Sequence, residues 1–191
     1  MHSNFPIVCV GGSAGGLDAY VKILKGLRAD TGAAIVIVTH NSRSPDTLHT
    51  HFLRYTAMPV ELISQNLRIR PNHVYVIPSN FDLYILDGAF RLELLSKPKG
   101  WSDVLTIFLR SLAQNWTGKL IAVVVSGLDS DGAAAMGEIK AVGGITIVQT
   151  PETAEWSDMP ENAIRTGHVD FILPAEEIAL KIEEIAYQDT A

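Results

Sequence analysis

Cysteine is almost missing from this sequence: Cys9 is the only one in 191 residues. A disulfide framework within the chain is therefore excluded, and an apolar core has to hold the fold. Cys9 lies inside a strand-like apolar run, where a small core side chain is the ordinary reading and a reactive thiol the exceptional one. Lone-cysteine usage fits a reduced compartment. No apolar run approaches the roughly 20 residues that cross a bilayer, and the opening "MHSNF" has neither the basic nor the apolar region of a secretion signal. The expectation is a cytoplasmic protein without membrane insertion. Basic residues are also scarce: 15 Lys and Arg against 21 Asp and Glu give a formal net charge of -6. With few basic clusters, nucleic acid is not expected as the main partner. Histidine does not fall into metal-binding spacing either. His49 and His51 are two apart on an expected helix and would diverge, so a zinc site is unsupported.

Apolar runs of strand length, alternating with helical periodicity, are plentiful. "FPIVCV" (Phe5 to Val10) and "AAIVIVT" (Ala33 to Thr39) are continuous runs of the kind covered on both faces. Between them Leu17, Tyr20, Val21, Leu24 and Leu27 recur at helix spacing, which makes a βαβ unit. A second helix is expected over 45–55, with Pro45 at its first position. "HVYVIP", "FDLYIL" and "FRLELL" follow, the last two joined at Asp87-Gly88, a hairpin signal. A helix with Ser102 as N-cap presents Leu105, Phe108, Leu109 and Leu112. "LIAVVV", "GAAAMGEIKAV", "ITIVQ", "MPENAIRTG", "VDFIL" and "PAEEIALKIEEIAY" then alternate strand and helix to the end. The fold class expected is α/β: one doubly wound, mostly parallel sheet flanked by helices, with an antiparallel hairpin near one edge. Residues 1–191 read as a single domain, without repeats or linkers.

Three polar places follow buried strands: Ser13 within "VCVGGSAGG", His40 after "AIVIVT", and "SGLDSDG" after "LIAVVV". In open parallel sheets ligand sites form outside the carboxyl ends of strands, where the winding reverses. The glycine loop fails as a dinucleotide cradle, because the middle glycine of G-x-G-x-x-G is replaced by Ser13 or Ala14, and no Gly-Lys-Ser/Thr completes a P-loop. A looser anion site at the helix start stays open. Gly11-Gly12-Ser13-Ala14-Gly15 does fit G-x-S-x-G on a strand-to-helix turn, where a serine is pushed out toward substrate. The bland alternative is a tight turn with Ser13 capping the helix.

A serine hydroxyl needs a base, and the base an orienting carboxylate. One right-handed crossover makes the first two strands neighbours, so His40 should stand beside Ser13. Asp129 or Asp131 could supply the carboxylate, although either could equally be a helix cap or turn residue. A magnesium site is unsupported, since no third carboxylate lies nearby. The order Ser, His, Asp also differs from that of α/β-hydrolases.

Together, "VGGSAGG", a histidine closing the second strand, "SGLDSDGAAAM" and "MPENAI" resemble the catalytic domain of the CheB family, the chemotaxis receptor methylesterases. The resemblance runs from Pro6 to Leu173 with every motif in order. It implies a nucleophile at Ser13, a base at His40 and an orienting carboxylate at Asp131. It further implies oxyanion donors from the backbone amides of His40 and Leu128, and a cleft bordered by Met159 and Pro160. The reaction implied is hydrolysis of glutamate γ-methyl esters on chemoreceptor cytoplasmic helices, with glutamine deamidation in many relatives, and neither metal nor organic cofactor. The receiver domain that commonly precedes this domain in the family has no counterpart here, so a separate receiver or signalling protein is a possible partner. Ala14 stands where many relatives have threonine. That departure keeps a second expectation in view, a catalytically weak or inactive CheB-like binding module.

Overall fold

The computed structural model describes residues 5–39, 45–97 and 103–187. His40 and Ser102, both singled out above, lie outside the described residues. Strand β1 (Ile7–Gly12), helix α1 (Gly16–Gly26) and strand β2 (Ala34–Thr39) form the expected βαβ unit. Helix α2 (Pro45–Phe52) leads to β3 (Val60–Leu62) and β4 (His73–Val76). The hairpin β5 (Phe81–Leu86) and β6 (Ala89–Leu94) precedes α3 (Val104–Asn115) and β7 (Leu120–Val124). Helix α4 (Met136–Ala141), β8 (Ile145–Gln149), α5 (Asp158–Arg165), β9 (Phe171–Leu173) and α6 (Ala175–Tyr187) complete the order.

The main sheet has seven strands in the order β3-β4-β2-β1-β7-β8-β9, and every pairing in it is parallel. Its strands alternate sides between two cores, which is why they read as unbroken apolar runs. Val8 and Val10 face the core built with α1, α2 and α6, while Ile7 and Cys9 face the one built with α3, α4 and α5. The hairpin forms a separate antiparallel sheet. Its two-residue loop has φ of 52° at Asp87 and 72° at Gly88, the left-handed pair of a type I′ turn. The hairpin lies on α3, with the Ile85 N–H donating to Ser111 Oγ at 2.9 Å, and an isolated bridge, Arg68 to Ala89, ties it to the segment between β3 and β4.

The topology places the reversal of winding at β1. From β1 the chain moves out through β2 to β4 and β3, returns to β7 on the other side of β1, and continues to β8 and β9. The crevice for a ligand therefore opens between the carboxyl ends of β1 and β7. Among the described residues no helix is long and apolar enough to cross a membrane.

Candidate active site

Ser13 follows directly on β1 and faces that crevice from a turn whose shape other segments dictate. Its N–H donates to the Ser126 carbonyl, just past β7, at 2.9 Å, and its carbonyl accepts the Gly16 N–H at 3.1 Å. Gly15, with φ of 70°, is the N-cap of α1, so the Ser13 hydroxyl is not what caps the helix. Only glycine suits that position twice over. The backbone is left-handed, and a Cβ would sit 2.7 Å from Ser126 Oγ. Opposite Ser13 lies Gly127, where a Cβ would come within 3.1 Å of Ser13 Cβ and 2.0 Å of Met159 Sδ. The bare Gly127 backbone thus lets Met159 and Ser13 both pack close against this loop.

The register brings the second strand to the same place. Gly12 pairs with Thr39, so the residues immediately before Ser13 and His40 are partners across β1 and β2. Beneath them lies Tyr20 of α1, almost fully buried, whose hydroxyl donates to the Val38 carbonyl at 3.3 Å and reaches under Gly12. Burial pushes the Tyr20 phenol well above its ordinary range, so it stays a neutral strut.

Asp131, on the loop after β7, is 5 % exposed and spans to another helix. Its two oxygens accept the backbone N–H groups of Leu105 and Thr106, each at 2.8 Å, closing the N-terminus of α3. Thr106 Oγ1 returns the contact by accepting the Gly132 N–H at 2.8 Å. Leu105 packs in the gaps left by Gly11 and Gly132, so β1, the β7 loop and α3 meet around this carboxylate. Asp129 does something different. Its Oδ1 accepts the Asp131 N–H at 2.9 Å and its carbonyl accepts from Asn162 Nδ2 at 3.1 Å, so it shapes the loop. Neither aspartate caps the short 3₁₀ turn that follows, whose N-cap is Gly132.

Of the remaining expected residues, Leu128 stands out at 53 % exposure on the same loop. Met159 and Pro160 are buried at the start of α5, Met159 against Gly127 and bonded through its N–H to the Gly127 carbonyl at 3.0 Å. Cys9 lies beneath the site. Burial, reinforced by the Asp131 charge, pushes its thiol far above the ordinary range, which makes it a core residue. Among the described residues no cluster of His, Cys, Asp and Glu is arranged to hold a metal.

Residues 8–182 match the model of the CheB methylesterase family. The chain belongs to the CheB methylesterase family. Its fold agrees with the crystal structure of the Thermotoga maritima CheB methylesterase catalytic domain at a TM-score of 0.87 and 27 % identity, over 96 % of this chain and 100 % of that one. A Leptospira interrogans protein bearing the protein-glutamate methylesterase/protein-glutamine glutaminase name is 32 % identical over 178 residues, 92 % of each chain. A second bearer of that name, from Geobacter metallireducens, is 29 % identical over 95 % of this chain but only 53 % of its own length. This CheB-type domain therefore matches nearly all of one relative and about half of another.

Sequence reasoning overlooked two residues that organise this CheB-type site, Ser126 and Gln149. Both are polar, buried, and placed at or just beyond the carboxyl end of an apolar strand. That is the same signal that singled out His40.

Proposed function

We propose that this chain is a cytoplasmic serine hydrolase that removes methyl groups from glutamate γ-methyl esters on the cytoplasmic helices of chemoreceptors. The observation that carries the reading is the turn at the winding reversal: Ser13 held against Ser126 and close beside Gly127, with the buried Asp131 on the loop after β7. A serine on a strand-to-helix turn and a buried carboxylate beside it are two of the parts an acyl transfer needs, the expected base His40 follows β2 in the sequence, and the names of the relatives favour a hydrolase over a binding module.

In this mechanism His40 takes the proton of the Ser13 hydroxyl while Oγ attacks the γ-carbonyl carbon of the ester. The C=O electrons move onto oxygen, where the backbone amides of His40 and Leu128 stabilise the charge. Collapse expels the methoxy group, which takes the proton from His40 and leaves as methanol. Water, deprotonated by His40, then attacks the acyl carbon; collapse breaks the bond to Ser13 Oγ, which takes the proton back from His40, and the glutamate is freed as its acid, which ionises to the carboxylate. Asp131 holds the imidazole in the required tautomer and offsets its positive charge. A glutamine side chain would pass through the same steps and release ammonia. Leu128 and Trp156, 53 % and 42 % exposed, supply apolar surface for the receptor helix at the crevice rim, with Met159 and Pro160 behind it.

The test is methanol release from methylated chemoreceptor membranes. The wild type is expected to release methanol, and Ser13→Ala to lose nearly all of it. Turnover by Ser13→Ala near the wild-type rate would move the nucleophile elsewhere.

A further inference from the structure

Ser126 is 1 % exposed, and all of its polar groups are committed, to three different segments. Its carbonyl accepts the Ser13 N–H at 2.9 Å, and its hydroxyl donates to the Ala14 carbonyl at 2.8 Å. The same hydroxyl oxygen accepts the Trp156 N–H at 3.0 Å. Its own N–H donates to Gln149 Oε1 at 3.0 Å. Gln149, 3 % exposed at the end of β8, is held in turn by donating through Nε2 to the Thr153 carbonyl at 3.0 Å. The Trp156 carbonyl closes the ring by accepting the Gly127 N–H at 3.1 Å. A buried network with every member satisfied admits few alternative arrangements.

We infer that Ser126 is a positioning residue for the reaction: through its hydroxyl it clamps the Ser13 turn against the 156 segment and so fixes where Ser13 Oγ points. The inference rests on the reading of Ser13 as nucleophile. The hydroxyl is the decisive group, because the carbonyl bond to Ser13 survives any side-chain change. Bonds to the Ser13 N–H and to the Ala14 carbonyl bracket the serine, leaving its backbone little freedom. Without the hydroxyl, the Ala14 carbonyl and Trp156 N–H lose a buried partner, and the turn relaxes to find another. A displacement of about 1 Å at a reacting atom costs on the order of a hundredfold in rate.

The experiment compares Ser126→Ala and Ser126→Thr with wild type for kcat and KM of methanol release and for the rate at which a fluorophosphonate labels Ser13. All rates are taken well below each variant's unfolding midpoint. Ser126→Ala is expected to lower kcat and labelling together by roughly tenfold to a hundredfold, with KM within about twofold, and Ser126→Thr, which keeps the hydroxyl, to recover most of the loss. If Ser126→Ala does not fold, Ser126→Cys carries the test: it preserves the shape but weakens both hydroxyl bonds, and the loss runs the same way at smaller size. A folded Ser126→Ala or Ser126→Cys within twofold of wild type in both rates overturns the inference, provided Ser13→Ala is inactive. Turnover by Ser13→Ala overturns the nucleophile reading and this inference with it.

Discussion

Asp131 caps a helix that is not its own: its Oδ2 accepts the Leu105 N–H at 2.8 Å, joining the loop after β7 to the first turn of α3. A carboxylate at the positive end of a helix both satisfies orphan N–H groups and complements the dipole. The residue expected to orient the base is therefore also a fixed part of the fold. Asp131→Ala should lower stability by about 1–2 kcal/mol, the usual loss for a removed cap, as well as abolish most turnover. Asp131→Asn, which keeps one acceptor oxygen, should be closer to wild type in unfolding midpoint yet still lose most of kcat. Thermal unfolding beside methanol release separates the two contributions. Equal midpoints for wild type and Asp131→Ala would mean that the α3 terminus finds other partners.

Gly127 gives a steric prediction. A Cβ there meets Met159 Sδ at 2.0 Å, so Gly127→Ala has to push the Met159 side chain aside in a packed core. Overpacking of this kind costs about 1–3 kcal/mol, and because the same Cβ crowds Ser13 Cβ, activity should fall too. Adding Met159→Ala should recover part of the stability and little of the rate. Full recovery of the rate would show that Ser13 was disturbed only through Met159.

Two pH effects should separate cleanly. A base must be neutral in the free enzyme, so kcat/KM should fall as pH drops through the His40 pKa, about 6.5 for an unperturbed imidazole. A profile flat from pH 5 to 8, with chemistry rate-limiting, would count against His40.

Stability should respond at lower pH through Asp170. Burial raises its pKa, but the Lys140 ammonium at 2.6 Å and the Thr146 N–H at 2.9 Å outweigh burial and hold it below the usual carboxylate range. A depressed folded pKa contributes stability above the unfolded value, about 3.9, and that contribution is lost as pH falls through the folded pKa. Asp170→Asn should be less stable than wild type at pH 7, with the gap closing below about pH 4. Chemical denaturation at several pH values checks this; a gap independent of pH would assign the loss to packing.

Cys9 should resist thiol reagents in the native protein, since burial and the nearby Asp131 charge both disfavour the thiolate. Mass spectrometry after iodoacetamide should show modification only under denaturing conditions, and rapid native labelling would mean that β1 opens readily.

What could be read from the chain, and what could not, divides along local and non-local lines. The strands β1, β2, β7 and β8 were visible because strands buried on both faces are unbroken apolar runs. The hairpin was visible because Asp87-Gly88 suits its turn. β3 escaped notice: three residues with two only partly buried carry no period. The start of α3 was read as a local cap at Ser102, whereas the N-cap position falls on Asp103 and the capping oxygens come from Asp131, on a distant loop. Ser13 was legible from its glycines, each of which answers a close approach. Ser126 carried only the general mark of a polar residue past an apolar strand; what it holds exists only once the ends of β1, β7 and β8 and the 156 segment meet.

Placing β1 at the middle of the sheet has a consequence for how the chain is made. β1 is synthesised before every other strand of its sheet, yet its partner on one side, from Ile7↔Leu120 onward, lies more than a hundred residues later. As the polypeptide leaves the ribosome, the βαβ unit can pair β1 with β2, but the other edge of β1 stays open until β7 arrives. An apolar parallel edge waiting on a distant segment folds slowly and invites pairing with other chains. Ser13 meets Ser126 only when that edge closes, so the turn that holds Ser13 takes shape only after the chain's most aggregation-prone interval is over.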